Sequence, residues 1–176
     1  MITNRIFPFG MILCFGLFAG CTQKLPDGFP KLYPTTLTVT QEGTPLAEAS
    51  VILYSADDPS FRWVVTGVTD SKGNAPLGTF ATTQIRKNGA PAGKFKVTVT
   101  KTKSDEVPVL SPVAEQDEID AWRAQMRQLK PQNHKFVEQQ YSDINATPLE
   151  VVIEKKTNAV SVDAGKKIEL SEPMLY

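Results

Sequence analysis

The chain has 176 residues, with 19 basic side chains, 19 acidic side chains and one histidine, so its formal net charge at neutral pH is zero. That balance gives no electrostatic case for nucleic acid. Two cysteines are too few for a disulfide framework or a cysteine-built metal site, so the core must hold unaided.

Residues 1–20 do not read as part of a folded domain. Arg5 is the only charged side chain before Cys21, and Ile6 to Ala19 is apolar apart from Pro8 and two glycines. That run is shorter than the roughly 20 apolar residues a spanning helix needs. A basic start, a short apolar stretch and small residues before a cut site are the parts of a secretory signal peptide. Its removal takes Cys14 with it and leaves Cys21 as the single cysteine of the mature chain.

The segment Leu17-Phe18-Ala19-Gly20-Cys21 resembles the lipobox of bacterial lipoproteins, with Phe18 where the family usually has Leu. The resemblance implies that the Cys21 thiol receives a diacylglycerol, that cleavage makes Cys21 the new amino terminus, and that acyl chains such as palmitate hold the protein to a membrane. Each buried CH₂ contributes about 0.8 kcal/mol, and stable anchoring takes more than one chain. Thr22 follows the cysteine, not the Asp that retains many lipoproteins in the inner membrane. The expected location is the cell envelope, facing away from the cytoplasm, in the outer membrane if the cell has two.

Residues 21–34, with Pro26, Gly28, Pro30 and Pro34, read as a tether, because proline lacks the N–H that a helix or ladder uses. From Thr35 the pattern has period two. Leu37 and Val39 alternate with threonines, and Glu42-Gly43-Thr44-Pro45 turns the chain. Ala49, Val51 and Leu53 share one face of the next strand. Asp57-Asp58-Pro59-Ser60 breaks it, and Trp63 to Thr69 forms a third. Asp70 to Asn74 is a turn whose Gly73 can take positive φ. Ala75 to Thr82 reads as a weaker strand, with Pro76 at an edge or strand start. Phe95, Val97 and Val99 give the cleanest alternation in the chain.

Residues 104–140 interrupt the strands. Ser111 and Pro112 offer a cap and a first helical position. Ile119, Trp122, Met126 and Leu129 then recur at steps of three and four, the period of an amphipathic helix that ends before Pro131. Strand alternation resumes at Leu149, Val151 and Ile153, continues through Val160 and Val162, and closes at Ile168 and Leu170. The pattern predicts a mostly β domain over residues 35–171: an antiparallel sandwich of about seven strands with one helical insertion.

Three segments in order resemble carboxypeptidase regulatory-like domains, which are transthyretin-like sandwiches. They are Gly43-Thr44-Pro45-Leu46-Ala47-Glu48-Ala49-Ser50-Val51-Ile52-Leu53, Gly67-Val68-Thr69-Asp70-Ser71-Lys72-Gly73-Asn74-Ala75, and Gly89-Ala90-Pro91-Ala92-Gly93-Lys94-Phe95-Lys96-Val97-Thr98-Val99. Tyr141 to Leu149 resembles the closing part of small secreted lipoproteins that carry this domain. The resemblance implies a transthyretin-like fold over residues 35–101 and, more loosely, 141–170; it says nothing about residues 102–140.

Reactive constellations are missing from the sequence. His134 has no second histidine, and there is no GxSxG, HExxH or paired Cys-His motif. Transthyretin-like hydrolases of hydroxyisourate use several histidines and a Tyr-Arg-Gly-Ser motif that this chain lacks. Asp70 to Asn74 has too few acids for a calcium loop, and Lys72 would oppose the ion. Tyr54, Phe61 and Trp63 are the candidate ligand contacts, as stacking aromatics for a sugar. Trp122, within the apolar stripe, reads as packing. The expectation is a non-enzymatic, membrane-tethered module with no cofactor, no metal and no catalytic residue. It would bind another envelope protein or serve a structural role; the alternative is a carbohydrate-binding module.

Overall fold

The computed structural model describes residues 24–105, 107–129 and 133–168. The expected signal peptide, Cys21, Pro131 and Leu170 lie outside those residues. In chain order the strands before the insertion are β1 (Leu32–Tyr33), β2 (Thr35–Gln41), β3 (Thr44–Pro45), β4 (Ser50–Ser55), β5 (Val64–Val68), β6 (Asn74–Pro76), β7 (Gly78–Phe80), β8 (Arg86–Asn88), β9 (Ala90–Pro91) and β10 (Gly93–Thr100). The insertion holds β11 (Thr102–Ser104), α1 (Gln116–Gln128), β12 (Asn133–Lys135) and α2 (Gln139–Ser142), and β13 (Glu150–Ile153) and β14 (Asn158–Asp163) follow.

The protein is mostly β, a sandwich of two main sheets. The larger runs β13-β10-β4-β5-β7-β8, antiparallel throughout. The smaller centres on β2, with β14 along one side and β3 and β6 end to end along the other. Two expectations need correcting here. β14 pairs β2 in parallel, Val160 opposite Leu37, so the sandwich is not purely antiparallel. The strands are also shorter and more numerous than seven. The expected strand from Ala75 to Thr82 divides, because Pro76 cannot donate to a ladder; the Leu77 N–H turns to Thr35 O at 2.9 Å, and β6 and β7 fall in different sheets.

Period-two alternation sends the expected side chains between the sheets. Leu37, Val39, Val51, Leu53, Phe95, Val97, Val99, Val151 and Ile153 are all buried and form one cluster with Ala75, Val162 and Ala164. Phe95 holds Phe61 edge-on, ring centroids 5.8 Å apart at 77°, which fastens the loop after β4 to the core.

The turn between β5 and β6 shows why glycine stands at position 73. Gly73 has φ +76°, and a Cβ there would lie 2.5 Å from Val39 O. The Gly73 carbonyl accepts the Val39 N–H at 2.8 Å, so the turn cannot move away. Gly73→Ala should therefore lower stability by about 1–3 kcal/mol, measured by urea unfolding; an unchanged midpoint would contradict the turn geometry.

The chain enters β2 from the tether at one end of the sandwich and leaves β10 for the insertion at the other. Gln41, the last residue of β2, donates its side-chain amide to Phe136 O at 2.8 Å, and the Phe136 N–H bonds Lys101 O at 3.0 Å. At ~3.3 Å per residue, the seven-residue β2 puts these two ends about 20 Å apart.

Asp163 fastens the insertion end. Its carboxylate accepts the Gly43 N–H at 3.0 Å, the Thr40 hydroxyl at 2.8 Å and the Gly165 N–H at 2.9 Å. The Gly43 amide first, with Thr40 and Gly165 behind it, holds its pKa below the ordinary 3.8 against a smaller opposing effect of burial. A depressed folded-state value means that this stabilisation is complete above pH 3.8 and is lost as pH falls through the lower folded value. Asp163→Asn should flatten the acid limb of stability against pH in that window, read by thermal unfolding at stepped pH. An acid limb identical to wild type would contradict this.

Candidate functional site

At the tether end, Trp63 stands immediately before β5 and divides two open grooves. One, of about 330 Å³, is lined by Tyr54, Phe61, Trp63, Val64, Asp58 and Ile144 among others. The other, of about 450 Å³, is lined by Pro26, Arg62, Trp63, Val64, Phe80 and the loop 81–83. Cross-strand pairing explains the apolar floor. Val64 on β5 sits opposite Phe80 on β7, and both point away from the core because Val65 and Thr79 point into it.

All three aromatics singled out from sequence line the first groove, in different attitudes. Phe61 is half-buried against Phe95. Tyr54 stands outward on β4. Trp63 is held edge-on by Phe29, centroids 5.1 Å apart, with the Arg62 guanidinium 4.6 Å from its ring centre. Arg62 also donates to Asp27 O at 2.9 Å. The tether between Asp27 and Phe29 is therefore seated on the domain, and β1 continues that seating by pairing Leu32 and Tyr33 with Pro91 and Ala90 of β9. Phe29 and Arg62 were not singled out from sequence. An aromatic between Gly28 and Pro30, within a Pro/Gly-rich stretch, was the available signal for Phe29.

The insertion lies at the opposite end. Its helix begins after Glu115, not at Ser111-Pro112. The Glu115 N–H is accepted by the Glu118 carboxylate at 3.1 Å, whereas Ser111 closes a separate turn with Ala114. The stripe Ile119, Trp122, Met126 and Leu129 is half-buried, and the rest of the helix is exposed. No residue of α1 is fully buried. The stripe is covered in part by the helix's own leading segment, where the Trp122 indole N–H donates to Pro108 O at 2.8 Å. That leading segment leaves Val107, Val109 and Val113 outward, the last two 92% and 85% exposed. Trp122→Ala should remove both packing and hydrogen bond, opening protease sites within residues 104–140 while the sandwich's unfolding midpoint holds. Equal cleavage of wild type and variant would contradict the stripe's role.

His134 lies on a strand. It is the middle residue of β12, opposite Lys103, and its Nε2 meets Asp105 Oδ1 at 2.5 Å. The pair joins the two strands at the base of the insertion. Asp70 engages its own turn, its Oδ1 accepting the Lys72 and Asn74 N–H groups at 2.8 Å each. Among the described residues no group of three or more His, Cys, Asp or Glu side chains is arranged to hold a metal, and no helix is long and apolar enough to cross a membrane.

No family model matches the chain, and no curated protein matches it. Among solved structures it is similar to the major pilin subunit of Bacillus cereus, at 14% identity and a TM-score of 0.37 over 80% of this chain. The alignment spans 31% of the pilin chain, less than a third of its length.

Proposed function

We propose that this protein is a non-enzymatic lipoprotein of the cell envelope, anchored through acylated Cys21, whose β-sandwich serves as a spacer and presents the 104–140 insertion to another envelope protein. The observation that carries this reading is the placement of tether and insertion at opposite ends of the sandwich. The insertion leaves valines exposed at 107, 109 and 113, an apolar surface for such a partner. The sandwich itself is read as carboxypeptidase regulatory-like. Gly43 and Gly73 take positive φ in the two turns that carry the family-like motifs, and Phe95 fills the core from the third. An alkyne-tagged palmitate should label the wild-type protein in growing cells and fail to label Cys21→Ser; an unlabelled wild type would remove the anchor.

A carbohydrate-binding module is the second reading, favoured by one observation: Tyr54, Phe61 and Trp63 line the same groove. Glycan-array binding that disappears in a folded Trp63→Ala variant would support it over the protein-interaction reading. Against it stands the engagement of two of the three rings, Phe61 by Phe95 and Trp63 by Phe29 and Arg62.

A further inference from the structure

The tether is shorter than its sequence suggests. Because Asp27 and Phe29 are fixed to Arg62 and Trp63, only residues 22–26 separate the seated chain from Cys21. The six steps from Cys21 to Asp27 span at most about 22 Å even when fully extended. An acyl group on Cys21 would therefore keep the Trp63 end of the sandwich against the bilayer surface.

What that end displays suits a lipid interface. Val64 is 50% exposed and Leu25 37%, and the groove beside Val64 is lined by Pro26, Trp63 and Phe80. Trp and long cationic side chains settle at headgroup depth, because each has an apolar body and a polar tip. The cations at this end are Lys24, Lys31, Arg62, Arg86 and Lys155. That end also carries the ion pairs Lys94–Glu150 and Lys156–Glu154, which cancel, and the carboxylates of Asp27, Asp57 and Asp58, so five cations stand against three acids. At the far end α1 and its cap carry Glu115, Asp117, Glu118 and Asp120 against Arg123 and Arg127. A neutral chain is thus polarised along its long axis, basic where it is tethered and acidic where the helix lies.

We propose that the tether end, Leu25, Trp63, Val64 and Phe80 ringed by Lys24, Arg62 and Arg86, is a second membrane contact that rests on anionic lipid and sets the orientation of the domain. This rests on the lipid-anchor reading and adds to it a face and a lipid preference. Each basic side chain near an anionic surface strengthens the contact about fivefold, and salt screens it over about 10 Å at 0.1 M.

The chain's two tryptophans lie at opposite ends and report on it directly. The acylated full-length protein would be reconstituted into vesicles with bromine on the acyl chains, of phosphatidylcholine alone or mixed with phosphatidylglycerol. Trp122→Phe leaves only Trp63, and Trp63→Phe leaves only Trp122. Trp63 emission should shift to the blue and be quenched, more strongly on the anionic vesicles, and Lys24→Gln with Arg86→Gln should lower that quenching toward the neutral level. Trp122 should be unaffected. If the protein floats with the vesicles but Trp63 is quenched no more than Trp122, the face proposal falls while the anchor stands. If Cys21 is unmodified by mass and the protein does not float, both fall.

Discussion

Phe95→Ala should destabilise the domain by about 3–5 kcal/mol, the largest expected loss from a single side chain of the sandwich. Phe95 is 2% exposed, lies on β10 with β4 and β13 paired on either side, and holds Phe61 edge-on. Truncation removes a ring from a site walled by backbone on both sides, where collapse is restricted, so the cavity cost adds to the transfer cost. Phe61 loses its partner as well, and the loop between β4 and β5 should loosen, widening the groove beside Tyr54. Urea unfolding measures the effect. Val152→Ala serves as the control on the same sheet, since Val152 faces out and is 59% exposed; its change should stay within about 0.5 kcal/mol. Equal losses at the two positions would overturn the assigned strand faces.

Cys21→Ser should move nearly all of the protein out of the membrane fraction or leave it as the uncleaved precursor. The size of the effect follows from chain arithmetic. One myristoyl-length chain gives only reversible binding, with an association constant near ~10⁴ M⁻¹, whereas two or more hold stably. The basic face at the tether end is too weak to substitute for them. Fractionation with high-salt washing makes the comparison. A variant that is cleaved normally and still resists the wash would mean that attachment does not run through this thiol.

The strands with strict alternation could be read from sequence, because period two fixes which face is buried. Leu37 and Val39, Val51 and Leu53, and Phe95 to Val99 point into the core for that reason. What could not be read depends on partners distant in sequence. Leu77 looks like the middle of one strand, yet its N–H bonds Thr35 and the chain changes sheets there. Two-residue pairings such as β1 with β9 are too short to leave a period. The parallel union of β14 with β2 leaves no local signature at all. At the candidate site, the identities of Tyr54, Phe61 and Trp63 were legible as aromatics in loops and strand ends. Their attitudes were not, because Phe29 and Phe95 fix Trp63 and Phe61 from outside their own segment. The helix was legible from its stripe. Its start was not, since the Glu115–Glu118 pairing competes with the Ser111-Pro112 signal and only the folded segment shows which prevails.

The most direct measurement is the intact mass of the protein extracted from membranes, followed by sequencing of its N-terminal peptide. The account predicts a chain that begins at Cys21 and carries the added mass of a diacylglycerol, with or without a further acyl chain on the amino group. A mature chain with an unmodified Cys21, or one cleaved elsewhere, would contradict it.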